Sequence, residues 1–130
     1  MNGAWALNPE KSLDPEGLQF EVLVFSNTEV EQRYAMEFEN GPEDKGSLDW
    51  SVLCDGKDHP SPDFPWSKAA NATVAISRLG DKSEFVTQKE DGALTMTYTR
   101  VLADDDQTMI SVGRDAAGKI IWVRVFDRED

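Results

Sequence analysis

Hydrophobic and polar residues alternate along most of this chain, in short runs that are separated by turn residues. A two-residue period predicts strands, because successive side chains of a β-strand point to opposite faces. In 30–39, for example, Val30, Tyr34, Met36 and Phe38 fall on one face. The pattern predicts a first short strand around Trp5, a short one at 57–59, and longer ones at 18–26, 30–39, 48–54, 72–79, 83–89, 94–102, 108–113 and 119–126.

Tight turns join many of these predicted strands, among them Asp55-Gly56 and Asp91-Gly92. Consecutive hairpins favour an antiparallel meander, and closure of a meander into a barrel removes its exposed edges. A two-sheet sandwich is the alternative, but it needs a long crossover that only residues 55–70 can supply. We therefore predict an all-β protein, with one domain over residues 1–130 that forms an antiparallel up-and-down barrel of about 8–10 strands.

Two strands near the C-terminus carry an arginine in apolar phase. An arginine between apolar neighbours is expensive to bury unless it is paired. The last strand is apolar on both faces, so the sequence does not decide which face points inward. Ile121, Val123 and Val125 form one face, and the residues that alternate with them form the other. The two sets that contain an arginine are Leu94, Met96, Tyr98, Arg100 and Leu102, and Ile120, Trp122, Arg124 and Phe126.

Charge and composition narrow the classes of partner. The chain is 39% hydrophobic and carries a formal net charge of −12, so neither nucleic acid nor an anionic membrane surface is an expected partner. No apolar run is long enough for membrane insertion, and no secretory signal precedes Trp5. This pattern predicts a cytoplasmic protein, although a leader that had been removed would leave the same sequence.

Cys54 is the only cysteine and His59 the only histidine. One cysteine cannot form an intrachain disulfide, and one imidazole makes most zinc and non-haem iron sites impracticable. We therefore expect no metal and no cofactor.

Several motifs give the chain a family resemblance. It opens with Gly-x-Trp-x-Leu-Asn-Pro-x-Lys-Ser at 3–12, continues with Asp-Gly-Lys-Asp-His-Pro at 55–60, and has Thr-Arg-Val at 99–101 and Asp-x-x-Gly-Lys at 115–119. In order and spacing these motifs resemble those of small bacterial lipocalin-like proteins and, more distantly, of the lipocalin and fatty-acid-binding superfamily. His59 stands where the pattern usually has tyrosine. The resemblance implies a calycin-type barrel with an apolar interior, and it implies no particular reaction.

The same resemblance suggests roles for the arginines. Fatty-acid-binding proteins hold anionic head groups with interior arginines and a tyrosine on late strands, which is similar to Arg100, Arg124 and Tyr98 here. In lipocalins, however, an arginine near the last strand often packs across the N-terminal tryptophan as a structural plug. The helical lid of fatty-acid-binding proteins does not fit the short, proline-interrupted connection after the first strand.

The sequence therefore predicts noncovalent binding of a small apolar or amphipathic molecule, with an anionic head as one option. A cofactor-free isomerase, cyclase or lyase is the first alternative, with His59, Tyr98, Arg100 and Tyr34 as candidate catalytic residues. A filled barrel that serves as an interaction module is the second, and the protein is expected to be a monomer or a homodimer. Phe64 and Trp66 are predicted to line a portal, and the predicted ligand-binding residues are Phe20, Tyr34, Met36, Phe38, Trp50, Met96, Tyr98, Arg100, Trp122 and Arg124.

Overall fold

The structure is a computed structural model that describes residues 2–14, 20–39, 45–61 and 71–129. In these segments all regular secondary structure is β, and no helix is long and apolar enough to cross a membrane. The strands are β1 (Gly3–Leu7), β2 (Phe20–Asn27), β3 (Glu31–Glu39), β4 (Lys45–Leu53), β5 (His59–Pro60), β6 (Ala72–Arg78), β7 (Ser83–Glu90), β8 (Ala93–Leu102), β9 (Thr108–Asp115) and β10 (Ile120–Glu129).

All ten strands belong to one antiparallel sheet with the order β4-β3-β2-β1-β10-β9-β8-β7-β6-β5. The first strand pairs with the last, Trp5 opposite Arg128, and this pairing curls the meander into a nearly closed barrel. The sheet has its two edges at β4 and β5. Backbone hydrogen bonds from Cys54 to Val30 and from Gly56 to Ile76 hold the β4–β5 turn against both sides of this gap. The predicted antiparallel barrel is confirmed.

The barrel has two ends, which we name after the ends of β1. At the Gly3 end lie the turns 28–30, 79–82 and 103–107. The ends of β1 and β3 and the β7–β8 turn lie at the Leu7 end. After β1 the chain runs on beside β10, where Leu13 pairs with Val123. Among the described residues this connection contains no helix, in agreement with the prediction that a helical lid is missing.

Apolar side chains fill much of the interior in two clusters. The larger one lies towards the Gly3 end, and the smaller one is formed by inward residues of β4, β6 and β7. Because the side chains alternate, the outward positions of the same strands stay half-buried or exposed, as at Val24 and Ile110. The larger cluster contains Trp5, Leu23, Phe25, Tyr34, Met36, Leu102, Met109 and Phe126, and the smaller one Val52, Val74, Ile76 and Val86.

Pairing settles the faces that the sequence left open. Trp122 and Phe126 are buried, so the inward face of β10 is the one that carries Arg124. Two residues depart from the predicted faces. Register shifts at Gln88/Lys89 and at Ile120/Trp122 insert an extra residue into β8 and β10. The predictions that Leu94 lies on the same face of its strand as Met96, and Ile120 on the same face as Trp122, are therefore wrong, and both residues are exposed.

Smaller differences concern ends of strands. Val30 belongs to the β2–β3 turn and is 63% exposed, so its predicted place on the inner face of β3 is also wrong. The short strand expected at 57–59 is observed at His59–Pro60. A proline is tolerated there because β5 is an edge strand.

Candidate functional site

A buried ionic cluster ties three strands together across the interior. Arg100 of β8 donates from Nη1 to Glu84 of β7, and Gln32 of β3 donates from Nε2 to the other oxygen of Glu84 at 2.9 Å. The same Nη1 is 3.5 Å from the Gln32 amide oxygen. The side chains of Arg100 and Glu84 are only 5% and 3% exposed. A buried ion pair is tolerated when further hydrogen bonds satisfy it, as they do here.

Aromatic rings enclose the guanidinium of Arg100. Its Cζ lies 4.9 Å from the ring centre of Phe25, 5.4 Å from that of Tyr34 and 4.8 Å from that of Tyr98. Nη2 also donates to the Tyr98 hydroxyl at 3.2 Å. Burial alone would lower the pKa of Arg100, but the neighbouring oxygens of Tyr98 and Glu84 outweigh burial and raise it. Arg100 is therefore a permanent cation whose two terminal nitrogens both have partners.

Tyr34 lies in the larger apolar cluster and is a poor proton donor in this setting. Its hydroxyl contacts the Met36 sulfur at 3.4 Å, and its ring packs against Phe25 and Trp50. Burial raises the pKa of its phenol well above the ordinary range. Of the four candidate catalytic residues, the fold brings Tyr34, Tyr98 and Arg100 together.

His59, the fourth candidate catalytic residue, lies apart from the other three. It stands opposite Val74 at the sheet edge, and its Nε2 is 2.8 Å from the Asp55 carboxylate in the preceding turn. This bond lowers the pKa of Asp55. Cys54, which follows β4 on the other side of the gap, is half-buried, and burial raises the pKa of its thiol. Neither residue hydrogen-bonds to the Arg100 cluster.

A second arginine cluster lies towards the Leu7 end. Arg124 of β10 donates from Nε to the Asp14 carboxylate at 2.8 Å, and its Nη1 is 3.9 Å from an oxygen of Glu21 on β2. The side chains of Arg124, Asp14 and Glu21 are 14%, 6% and 9% exposed. Arg100, Ser111 and Arg124 form one row across β8, β9 and β10, so the buried serine separates the two arginines.

Arg124 does not plug the barrel through the N-terminal tryptophan. Its Cζ lies 4.2 Å from the ring centre of Trp122. The arginine that stacks on Trp5 is Arg128, at 4.3 Å. Trp5 is thus covered by an arginine four residues further along the strand, and Arg124 faces the interior.

Apolar side chains continue from Arg124 along the inner wall. The indole of Trp122 lies directly on Gly113, where any Cβ atom would overlap its ring. Tyr98 packs against Trp122 with ring centres 6.0 Å apart. Among the described residues, Leu48 and Trp50 on β4 and Met96 and Tyr98 on β8 point inward and remain partly exposed. We refer to these four side chains as the half-open apolar surface. Trp50 and Tyr98 both pack against the smaller apolar cluster, and Tyr98 connects through Trp122 to Arg124.

Some predictions fall outside the described residues: Phe64 and Trp66, and the side chains of Phe20 and Phe38. In the described segments, no three His, Cys, Asp or Glu side chains group in a way that would hold a metal ion.

Sequence reasoning missed four buried polar residues. Gln32 alternates in step with Tyr34, and Glu84 with Val86, so the two-residue period indicated that both polar residues are buried. Glu21 and Ser111 alternate in the same way with buried neighbours, Leu23 and Met109. A polar residue in apolar phase therefore predicts a buried, hydrogen-bonded group in the same way as an arginine does.

Comparison with known proteins adds information on the fold. No protein-family model matches the chain, and no curated protein matches it. It is similar to the crystal structure of a mutant of the fluorescent protein UnaG, with a TM-score of 0.72 and 16% identity over 100% of this chain and 96% of that one. This likeness, at low identity, shows that the chain has a calycin-like barrel fold.

Proposed function

We propose that the protein binds a small apolar or amphipathic molecule inside the barrel. The observation that carries this proposal is the half-open apolar surface of Leu48, Trp50, Met96 and Tyr98, which continues into buried Trp122. Inward apolar side chains that remain partly exposed gain free energy when a ligand covers them, about 25 cal/mol per Å². Phe64 and Trp66 remain the proposed portal.

Binding is better supported than catalysis. A catalytic Arg100 would need to reach a substrate, yet its side chain is buried and both of its terminal nitrogens hydrogen-bond to Glu84, Gln32 or Tyr98. Raised by burial, the pKa of Tyr34 disfavours acid–base chemistry at neutral pH. We also keep as proposals the kinship with small bacterial lipocalin-like proteins, the cytoplasmic location and a monomeric or dimeric state.

Titration with Nile red, an uncharged dye that fluoresces in apolar surroundings, tests the proposal. Met96→Lys places a charge on the inner wall, and we expect it to abolish dye binding. Val101→Lys puts the same charge on the outer face of the same strand, where Val101 is 44% exposed, and should leave binding unchanged. Circular dichroism checks that both variants are folded.

Native mass spectrometry of freshly purified protein identifies any molecule that is carried over. If the wild-type protein binds no dye and carries no molecule, the interior is filled and the binding proposal fails. Equal loss of dye binding in both lysine variants would also contradict it, because the dye would then bind the outer surface.

A further inference from the structure

The two arginine clusters differ in the balance of their charges. In the Arg100 cluster one guanidinium faces one carboxylate, that of Glu84, and the Gln32 amide completes the hydrogen bonds. In the second cluster one guanidinium, that of Arg124, faces the two carboxylates of Asp14 and Glu21. Among the described residues, these clusters therefore hold three acids against two arginines.

Glu21 is the acid in excess. Asp14 takes the short hydrogen bond from Arg124, whereas Glu21 approaches Arg124 only to 3.9 Å, which is too long for a hydrogen bond. In the described part of the chain no side chain or main-chain group donates a hydrogen bond to the Glu21 carboxyl group. An ionised carboxylate has about four acceptor sites, so one whose side chain is only 9% exposed gains when a donor fills those sites.

The position of Glu21 suggests what that donor is. Its neighbour Arg124 stacks on Trp122, and Trp122 packs against Tyr98. The carboxyl group therefore lies at one end of the apolar surface that we propose for the ligand. A molecule with its tail on this surface would bring its polar head to the Arg124 cluster.

We propose that the ligand is an amphiphile with a protonated amine head, and that its ammonium group binds the carboxylate of Glu21. This inference rests on the proposed function. An ammonium donates three hydrogen bonds and equalises the charges of the two clusters. A carboxylate head would instead add a fourth acid beside two arginines that already contact carboxylates.

The electrostatics of the ligand-free protein agree with this assignment. Burial raises the pKa of Glu21, and Asp14 of the connection after β1 adds to the effect. Arg124 of β10 and Arg100 of β8 act in the opposite direction but do not outweigh burial. Tyr34 of β3 also faces Glu21, and it is neutral because its own pKa is raised. The described residues thus supply Glu21 with too little positive charge to outweigh its burial.

Three ligands with the same tail test the head-group preference: dodecylamine, dodecanol and dodecanoate, each displacing Nile red below its micelle concentration at neutral pH. We expect the amine to bind at least about tenfold more tightly than the alcohol, as for one charge-assisted hydrogen bond, and the carboxylate to bind most weakly. Glu21→Gln should remove the amine preference and leave the affinity for the alcohol unchanged.

Glu37→Gln is the matched control, because Glu37 is exposed on the neighbouring β3 and loses the same charge. It should keep the amine preference. The inference is overturned if dodecanoate binds most tightly, if the wild-type protein ranks the three ligands equally, or if Glu21→Gln keeps the preference. In each case bound Nile red still supports the proposed function, whereas absence of dye binding would contradict that function itself.

Discussion

Replacement of Glu84 by glutamine tests whether the Arg100 cluster braces the barrel. Glu84 on β7 joins Arg100 on the neighbouring strand β8 to Gln32 on β3, so the cluster connects this pair of strands to a third strand that pairs with neither. Glutamine keeps the size and much of the hydrogen bonding of glutamate but removes its charge. The guanidinium of Arg100 would then be buried without a counter-ion.

The expected cost is large. Loss of one partner from a buried ion pair costs about 3–5 kcal/mol, and we expect Glu84→Gln near the lower figure because the amide still accepts a hydrogen bond. A domain of this kind is stable by about 5–15 kcal/mol, so this one oxygen-to-nitrogen change should remove a substantial fraction of the free energy of unfolding. A double variant, Arg100→Met with Glu84→Leu, should be less destabilised than the glutamine variant.

Urea unfolding followed by circular dichroism measures both variants. Asp49→Asn is the control, because it breaks the Arg33–Asp49 pair on the outer surface, whose side chains are 64% and 55% exposed. The control should not change the unfolding midpoint measurably, since exposed pairs contribute little. If Glu84→Gln shifted the midpoint no more than Asp49→Asn, the cluster would not be a brace.

Three further changes probe the interior. Gly113→Ala should lower stability by about 1–3 kcal/mol and shift the tryptophan emission, because the new methyl overlaps Trp122; unchanged emission would contradict this contact. Trp5→Ala should cost about 3–5 kcal/mol in urea unfolding, whereas Leu13→Ala at a 73% exposed site should cost nothing measurable. Glu21→Gln should stabilise the protein at neutral pH, because the raised pKa of Glu21 makes its ionised form less favourable in the folded than in the unfolded protein. The gain should vanish in acid, below the ordinary carboxyl pKa of 4.5, where Glu21 is protonated in both states. Equal gains in stability at both pH values would refute this reasoning.

Periodicity was enough to predict the strands and most inward faces. Tyr34, Met36 and Trp50 alternate with polar residues, so their direction followed from the two-residue period. The predicted faces of Leu94 and Ile120 were wrong because a β-bulge adds a residue to each strand, and nothing in the local sequence marks where that residue is inserted.

Partners of the buried charges could not be predicted. Gln32 and Glu84 are 52 positions apart, and Asp14 and Arg124 are 110 apart. Such contacts depend on the final curvature of the whole sheet. The two-residue alternation showed that each polar residue would be costly to bury. It did not show which charge neutralises that residue, because the two meet only when the barrel closes.

The Arg100 cluster is thus expected to stabilise the barrel, and the Arg124 cluster to bind the ligand. Variants of Glu84 and Glu21 test the two roles separately. Both are buried glutamates near an arginine, yet the first is hydrogen-bonded on both oxygens and the second on neither by the described residues. Their glutamine variants should consequently move stability in opposite directions. A residue whose removal stabilises the protein while it weakens ligand binding is retained for function, because natural proteins accept such local costs at their binding sites. A matching loss of stability in both variants would make Glu21 a second brace and would leave the head-group preference without a structural cause.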